Sequence, residues 1–506
     1  HQSRRQRQMC IRDRAYMYAP DRRDFTFTAS SNATNPEDLK SGFDFGRAND
    51  DQSVAMQGFF LEPGVITRRY DELTDNNFDA SFDITWDVFD SGSSFSSMKL
   101  GAQAIVRDRD SDSETYGFNI NQSQQDLLSA ENVLVSDVVY VCGSGSGATS
   151  CQNTGNSDGS SQTPTGGITT SRETGLVFDD KTLVSDSYDA ELDYNSVYAM
   201  YDHTFDTTWQ VVVGARYEMF EQVTNTFAIT GEGLPVESVI EEDSLLPSLS
   251  LNWFYRDDQQ LRLAVSETVA RPDFKEAANA VFYDDEFNFR VRGNPFLEIA
   301  SVRNADLRWE WYPNGEDSLS IALFYKDIDK PIERVVQLAS GTAGNSRTFR
   351  NAESGELSGV EIEGRKEFLL SDDFSRSLFV SFNASVIESK VTLVNDDPRE
   401  LQGQPEYTAN LVIGYDDFSN GQQLTFLVNQ NGASIADVGL SGAPDVYLEP
   451  RMEANLVYRW DISETATFKA KLDNIFNSEL EYTQGGQTFQ SYEKGTKVSV
   501  SIDWDF

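Results

Sequence analysis

Residues 496–506 read TKVSVSIDWDF. In an extended strand Val498, Val500, Ile502, Trp504 and Phe506 point to one side, and Lys497, Ser499, Ser501, Asp503 and Asp505 to the other. The period of two holds to the last residue, with no turn signal after it. A half-buried strand of a water-soluble sheet accounts for the alternation. It does not account for a final strand closing on Trp-x-Phe.

The same pattern recurs upstream. Ala454/Leu456/Tyr458/Trp460/Ile462, Tyr407/Ala409/Leu411/Ile413/Tyr415, Leu249/Leu251/Trp253/Tyr255, Trp209/Val211/Val213/Ala215/Tyr217 and Phe82/Ile84/Trp86/Val88 each share a face. Most runs extend over about nine to twelve residues, near what a tilted strand needs to cross a bilayer and above the usual soluble strand of about five or six. Aromatic residues collect at the run ends, as an interfacial girdle requires. No segment carries a sustained 3.6-residue period, so the chain reads as all-β.

Connection lengths turn strands into a topology. Counted back from Phe506, short links (Asp461–Thr465, Asp416–Gln422, Leu370–Ser375, Pro313–Asp317, Asp257–Gln259, Phe205–Thr208, Asp90–Ser96) alternate with long ones (Asn474–Gly495, Gln430–Arg451, Thr268–Val302, Glu221–Ser244, Arg107–Ala190). A β-sandwich has no reason for that parity. An outer-membrane up-and-down barrel of antiparallel strands does, because its periplasmic turns are brief and its extracellular loops long. The expectation is a transmembrane barrel of about sixteen strands, N-terminally incomplete, with acidic stretches such as Asp284–Glu286 and Glu241–Asp243 in the outer loops. In that setting the closing strand, with Trp504 and Phe506, resembles the signal by which outer-membrane barrels are recognised by the barrel-assembly machinery.

Composition agrees. Against 41 basic side chains stand 82 acidic ones, a net charge of −41, which disfavours nucleic acid as a partner. Two histidines and three cysteines are too few for an ordinary zinc or haem site, and no cofactor is expected. Aromatic residues make up 12%, unlike a disordered acidic chain. Residues 1–14, HQSRRQRQMCIRDR, carry five arginines and break sharply from the acidic remainder. They read as a non-native basic segment, leaving residues 15–506 as one barrel, with 107–190 as a long extracellular loop region.

Several strings carry a family resemblance. SETVARPDFKEAA (Ser266–Ala278), RGNPFLEIASVRNADLRWEWYP (Arg292–Pro313), NAESGELSGVEIEG (Asn351–Gly364), LQGQPEYTANLVIGYD (Leu401–Asp416) and KLDNIFN (Lys471–Asn477) occur in that order. They resemble the barrel of TonB-dependent outer-membrane receptors. The resemblance implies active uptake of a large ligand of the siderophore, cobalamin or oligosaccharide class across a Gram-negative outer membrane. It also implies an N-terminal plug and TonB box through which the TonB energy-coupling protein acts; neither is visible in these residues. Arg271, Pro272, Gly293, Asn294, Pro295 and Asn474 match family motifs and read as architectural rather than as ligand contacts. Two other readings are a passive porin-like or adhesin-like barrel, and a secreted acidic β-sandwich lectin or enzyme.

Other candidate sites are few. Cys142 and Cys151 bracket GSGSGATS in the longest predicted loop, an oxidising location, and are a disulfide candidate against two free thiols. Gly155–Gly159 has Gly-x-Ser-x-Gly spacing but lies in a Gly/Ser/Asn loop with only His203 after it, so no hydrolase is expected. Asp108, Asp110, Asp112 and Glu114 begin like a calcium loop, yet Ser113 stands where glycine is needed and Asn119 where glutamate is. Phe282, Tyr283, Phe287, Phe289, Tyr482, Phe489 and Tyr492 lie in predicted outer loops, where they suit stacking on a ligand or packing among themselves. No constellation for catalysis is present.

Overall fold

The structure is a computed structural model that describes residues 7–24, 27–31, 56–61, 66–119, 139–142, 151–153, 176–180, 182–228, 234–284, 289–337, 346–394, 397–439 and 443–504. Its main sheet is an antiparallel meander. In chain order the strands are β1 Arg7–Asp24, β2 Ile66–Asp90, β3 Phe95–Asn119, β4 Tyr188–Phe205, β5 Trp209–Phe227, β6 Pro235–Arg256, β7 Gln259–Ala270 and β8 Ala300–Trp311. They continue as β9 Ser318–Asp329, β10 Ser354–Leu369, β11 Arg376–Thr392, β12 Tyr407–Asp417, β13 Gln422–Asn431, β14 Arg451–Ser463, β15 Ala466–Asp473 and β16 Lys497–Trp504. Each pairs with its sequence neighbour, from β1 with β2 through to β15 with β16. This is the up-and-down order that alternating turns and loops dictate.

Side-chain polarity is inverted relative to a water-soluble sheet. On β5, Trp209, Val213 and Tyr217 face outward and are 37%, 46% and 39% exposed. Beyond Tyr217 the opposite phase buries Glu218, Gln222, Thr224 and Thr226, with Phe220 among them. The register carries this around the sheet: Val213 lies opposite Leu249 of β6 and Tyr201 of β4, all three exposed, while Glu218 faces the buried Ser196. Water would penalise that arrangement at every outward residue; hydrocarbon favours it. Trp209 and Trp253 stack, with ring centroids 5.0 Å apart, beside the tight turns that end their strands, where an aromatic girdle belongs.

Several expected boundaries fall short of the ladder. β2 and β3 are 25 residues each and β6 is 22, all beyond a bilayer-crossing length of about ten. Residues 107–119 are therefore strand instead of loop, and Glu241–Asp243 lie within β6. The outward face turns acidic there (Asp108, Asp110, Asp112, Glu114), which ends the apolar alternation while backbone pairing continues. Residues 7–14, set apart by composition, lie within β1 and pair with β2. Trp504 is in β16 and 63% exposed; Phe506 and Phe287 lie outside the described residues, as does Gly155–Gly159.

The tight turns are held by local side-chain bonds. In Pro313–Asp317, Asn314 Oδ1 accepts the Asp317 N–H at 2.7 Å, and Asp317 Oδ1 accepts the Glu367 N–H at 2.9 Å. The Lys366 ammonium, with the Glu367 N–H and the Asn314 side-chain amide, holds the Asp317 carboxyl down to about 2 from 3.8. A carboxyl lowered in the fold stabilises above its unfolded value, and that stabilisation disappears as pH falls from about 4 toward 2. The Asp317→Asn variant should therefore lack an acid-induced loosening that the parent shows in this window, read by protease access to residues 313–317.

Candidate functional site

The long connections fold back over one end of the barrel. The β7–β8 link begins ARPDFKEAA, and there the structure forms a one-turn helix, Phe274–Ala277, instead of plain loop. Asp273 caps it by accepting the Lys275 N–H at 3.1 Å, and Glu276 returns a bond to the Asp273 N–H at 2.9 Å. This is a capping box, and Pro272 stiffens the approach to it. Phe274 is thereby driven onto the inward face of the sheet, where it is 1% exposed against Tyr188, Ala190, Ala278 and Ala280. Gly293 lets the returning chain pass close to this turn, because a Cβ there would lie 2.0 Å from Ala278 O.

Beneath the turn lies a wall of arginines, the inward phase of β3 and β5. Arg107 and Arg109 flank Phe274, each with its guanidinium carbon 5.0 Å from the ring centroid. Both pair with Asp75 of β2, at 2.7 and 2.6 Å. Arg216 donates to Glu218 Oε1 at 2.8 Å, to Gln103 Oε1 at 2.8 Å and to Ser196 Oγ at 2.6 Å. Arg271 pairs with Glu218 Oε2 at 2.5 Å and lies over Phe220, 4.7 Å from its centroid. Gln103, Arg107, Tyr194, Phe220, Gln222, Arg271, Asp273 and Phe274 are among the residues lining a cavity of about 370 Å³ between the helical turn and the sheet.

A second layer lies further out. The paired strands 281–284 and 289–292 with the strands 332–337 and 346–351, and the group 434–437, 446–448, 479–484 and 487–493, form two small sheets. Asp437, 3% exposed, joins them: Arg347 Nε donates to both its oxygens at 3.0 Å, and Arg334 reaches Asp284 Oδ2 and Ala436 O, each at 2.9 Å. Asp437→Ala should cost this layer about 3 kcal/mol by leaving the largely buried Arg347 guanidinium without its carboxylate, while Arg334 keeps Asp284. Limited proteolysis should then cut within 281–292 and 346–351 sooner, with the β1–β16 ladder unaffected.

This layer consumes three of the seven aromatic residues expected to stack on a ligand. Phe282 meets Tyr188 edge-on, Phe289 lies 4.4 Å beneath Arg347, and Tyr482 is 3% exposed with Val446 and Leu480. Phe489 and Tyr492 remain exposed. His203 sits on the outward face near Tyr201 and Phe205. Asn474, with φ of 52°, ends β15 by accepting the Ser478 N–H and donating to Gly495 O, as its architectural reading requires. Among the described residues no group of three or more His, Cys, Asp or Glu side chains is placed to hold a metal ion. The backbone sets Cys142 opposite Cys151 in a short antiparallel pairing.

A meander with apolar exterior, charged interior and loops layered over one end defines the barrel class of outer-membrane receptors. The family described as TonB dependent receptor-like, beta-barrel matches residues 11–488, and the chain belongs to it. No curated protein matches. Among solved structures, the chain is similar to the siderophore receptor PiuA from Acinetobacter baumannii at 11% identity and TM-score 0.55, covering 87% of this chain and 57% of that one. It is similar to the ferric citrate transporter FecA at 13% identity and TM-score 0.51, covering 88% and 56%. For FpvA of P. aeruginosa, solved with bound pyoverdines, the values are 13%, 0.50, 88% and 50%. At these identities the likeness shows the fold, and the chain spans between half and three fifths of those proteins' length.

Three features of the site went unread in the sequence. The helical turn had a signal, Asp273-x-x-Glu276 behind a proline. The arginine wall had a signal only at Arg216, which the strand phase puts on the inner side; Arg107 and Arg109 fell in the stretch read as extracellular loop. Asp437 had none, because its partners lie about 90 residues away in sequence.

Proposed function

We propose that this barrel takes up a large ligand of the siderophore, cobalamin or oligosaccharide class across a Gram-negative outer membrane. Energy would come from TonB through a plug and TonB box N-terminal to the barrel, as in the family. The observation that carries the reading is the pairing of an apolar exterior with a charged inner wall beneath inward-folded loops. A mouth overlaid by inward-folded loops suits capture and active import better than free diffusion, and no part of the reading requires catalysis. Barrel lipid and the barrel-assembly machinery are the further partners, the latter reading the strand that holds Trp504.

Expressed in a Gram-negative host, the chain should fractionate with the outer membrane and run faster unheated than boiled on a denaturing gel. In the plug-bearing receptor, loss of TonB should abolish uptake while surface binding persists. Uptake indifferent to TonB would support a passive channel instead. We further propose that Cys142 and Cys151 form a disulfide closing a small extracellular loop within region 107–190. Peptide mass should then rise by two hydrogen atoms on reduction, the electrons supplied by the reductant; a mass unchanged by reductant removes the bond. The division into a non-native segment 1–14 and a barrel 15–506 is likewise our reading, resting on composition.

A further inference from the structure

We propose that Asn314 is a modification site, an asparagine that deamidates through its own chain, and that the carboxylate so formed loosens the β8–β9 turn from β10. The residue sits in Pro313–Asp317, outside both strands, and is followed by Gly315.

The turn holds each part of the reaction. The nucleophile is the Gly315 nitrogen, whose N–H bonds no carbonyl among the described residues. It is the next residue along from its target, so ring closure needs no encounter. The electrophile is Asn314 Cγ. Its Oδ1 accepts the Asp317 N–H at 2.7 Å and the Glu316 N–H at 3.0 Å, two donors placed where negative charge develops as the carbonyl is attacked. The leaving group, Nδ2, donates to Asp317 Oδ2 at 2.8 Å, which fixes the amide in one orientation. The bond from Gly315 N to Cγ forms, the Cγ–Nδ2 bond breaks, and the Gly315 proton is relayed by water to the departing nitrogen, which leaves as ammonia. A water molecule then opens the cyclic imide at either carbonyl, giving aspartate or isoaspartate. No oxidant or reductant takes part.

Two other Asn-Gly pairs, Asn420-Gly421 and Asn431-Gly432, lack this combination. Gly432 donates its N–H to Tyr407 O at 2.8 Å, so the nitrogen after Asn431 is already committed. Gly421 is pinned against β14, where its carbonyl accepts the Asp461 N–H at 2.7 Å. Asn420 Nδ2 donates to Asp417 Oδ2 at 2.9 Å, but among the described residues no donor meets its Oδ1.

The product alters the turn. Asp317 fastens it to β10 through the Lys366 ammonium and through the Glu367 N–H at 2.9 Å. Deamidation replaces the Nδ2 donor with a carboxylate oxygen facing the Asp317 carboxylate, at a corner where Glu367 already pushes the Glu316 carboxyl up. Carboxylates so placed repel, and the hold of Asp317 on β10 weakens.

The test is peptide mapping by mass spectrometry of full chain aged in detergent micelles in mildly alkaline buffer, beside an aliquot aged in urea. Heat-modifiable gel mobility identifies the folded samples. In the folded chain Asn314 should convert to aspartate and isoaspartate several-fold faster than Asn420 or Asn431, and in urea the three rates should converge. Gly315→Ala should slow conversion several-fold by crowding the attacking nitrogen; a Cβ there meets nothing within 4 Å, so the turn keeps its shape. Asn314→Asp, which supplies a product from the outset, should be cut by protease within 313–317 several-fold faster than fresh parent. Folded Asn314 converting no faster than the other two overturns the site, and Gly315→Ala converting at the parent rate overturns the intrachain route. Asn314→Asp resisting protease like fresh parent overturns the loosening.

Discussion

Val213→Arg should destabilise the barrel by about 2–4 kcal/mol, the cost of an arginine on the lipid face at mid-bilayer. Val213 lies four residues from Trp209 and four from Tyr217 on the same outward face, so it sits about 13 Å along the strand from each aromatic boundary. The control is the adjacent Val212→Arg. Val212 points inward opposite Asp202, so the new guanidinium meets water and a carboxylate, and the cost should stay below about 1 kcal/mol. Urea titration of folded chain in lipid vesicles measures both. In a water-soluble sheet the ranking would reverse, because Val213 is 46% exposed and an arginine there would cost almost nothing.

The second large effect concerns the loop layer. Phe274→Ala should cost about 3–5 kcal/mol locally, the usual penalty for emptying a buried phenylalanine site. The ring is 1% exposed and is also the surface on which Arg107 and Arg109 rest, so truncation removes two cation–π contacts as well. The loss should appear as faster hydrogen exchange at Ala277 and Ala278, whose N–H groups bond Asp273 O and Phe274 O. Exchange in β3 to β6 should be unchanged, since ladders pairing 17 to 19 residues per strand pair do not depend on the turn. Leu234→Ala, at a residue 65% exposed, gives the baseline for a side chain that packs on nothing.

The barrel was legible in the sequence because a membrane imposes its own rule: every second residue must suit lipid, and the rule operates within each strand separately. Trp209 through Tyr217 and Val498 through Trp504 announce their faces without reference to any other strand. The alternation of short and long connections is equally local. What lies above the lipid obeys no such rule. At Asp108 the outward face changes from apolar to acidic while pairing with β2 continues for ten more residues, so polarity alone ended the strand too early. The site is less legible still, because it depends on contacts such as Arg271 with Glu218 and Arg347 with Asp437 that join distant segments. The capping box at Asp273 is the exception, since its two halves are three residues apart. The aromatic loop residues show the limit of composition: Phe289 and Tyr482 had the right chemistry for stacking on a ligand, and the fold uses them against Arg347 and Leu480 instead.

The central claim is that the outward side chains touch hydrocarbon, and fluorescence quenching by brominated lipid reads it directly. Trp86, Trp209, Trp253 and Trp460 all lie on the outward face and are 37–39% exposed. In vesicles whose acyl chains carry bromine near the headgroup end, their emission should be strongly quenched, while aqueous iodide should leave it nearly unchanged. A chain that folds as a monomer in plain buffer, with emission quenched by iodide and indifferent to brominated lipid, would contradict the account.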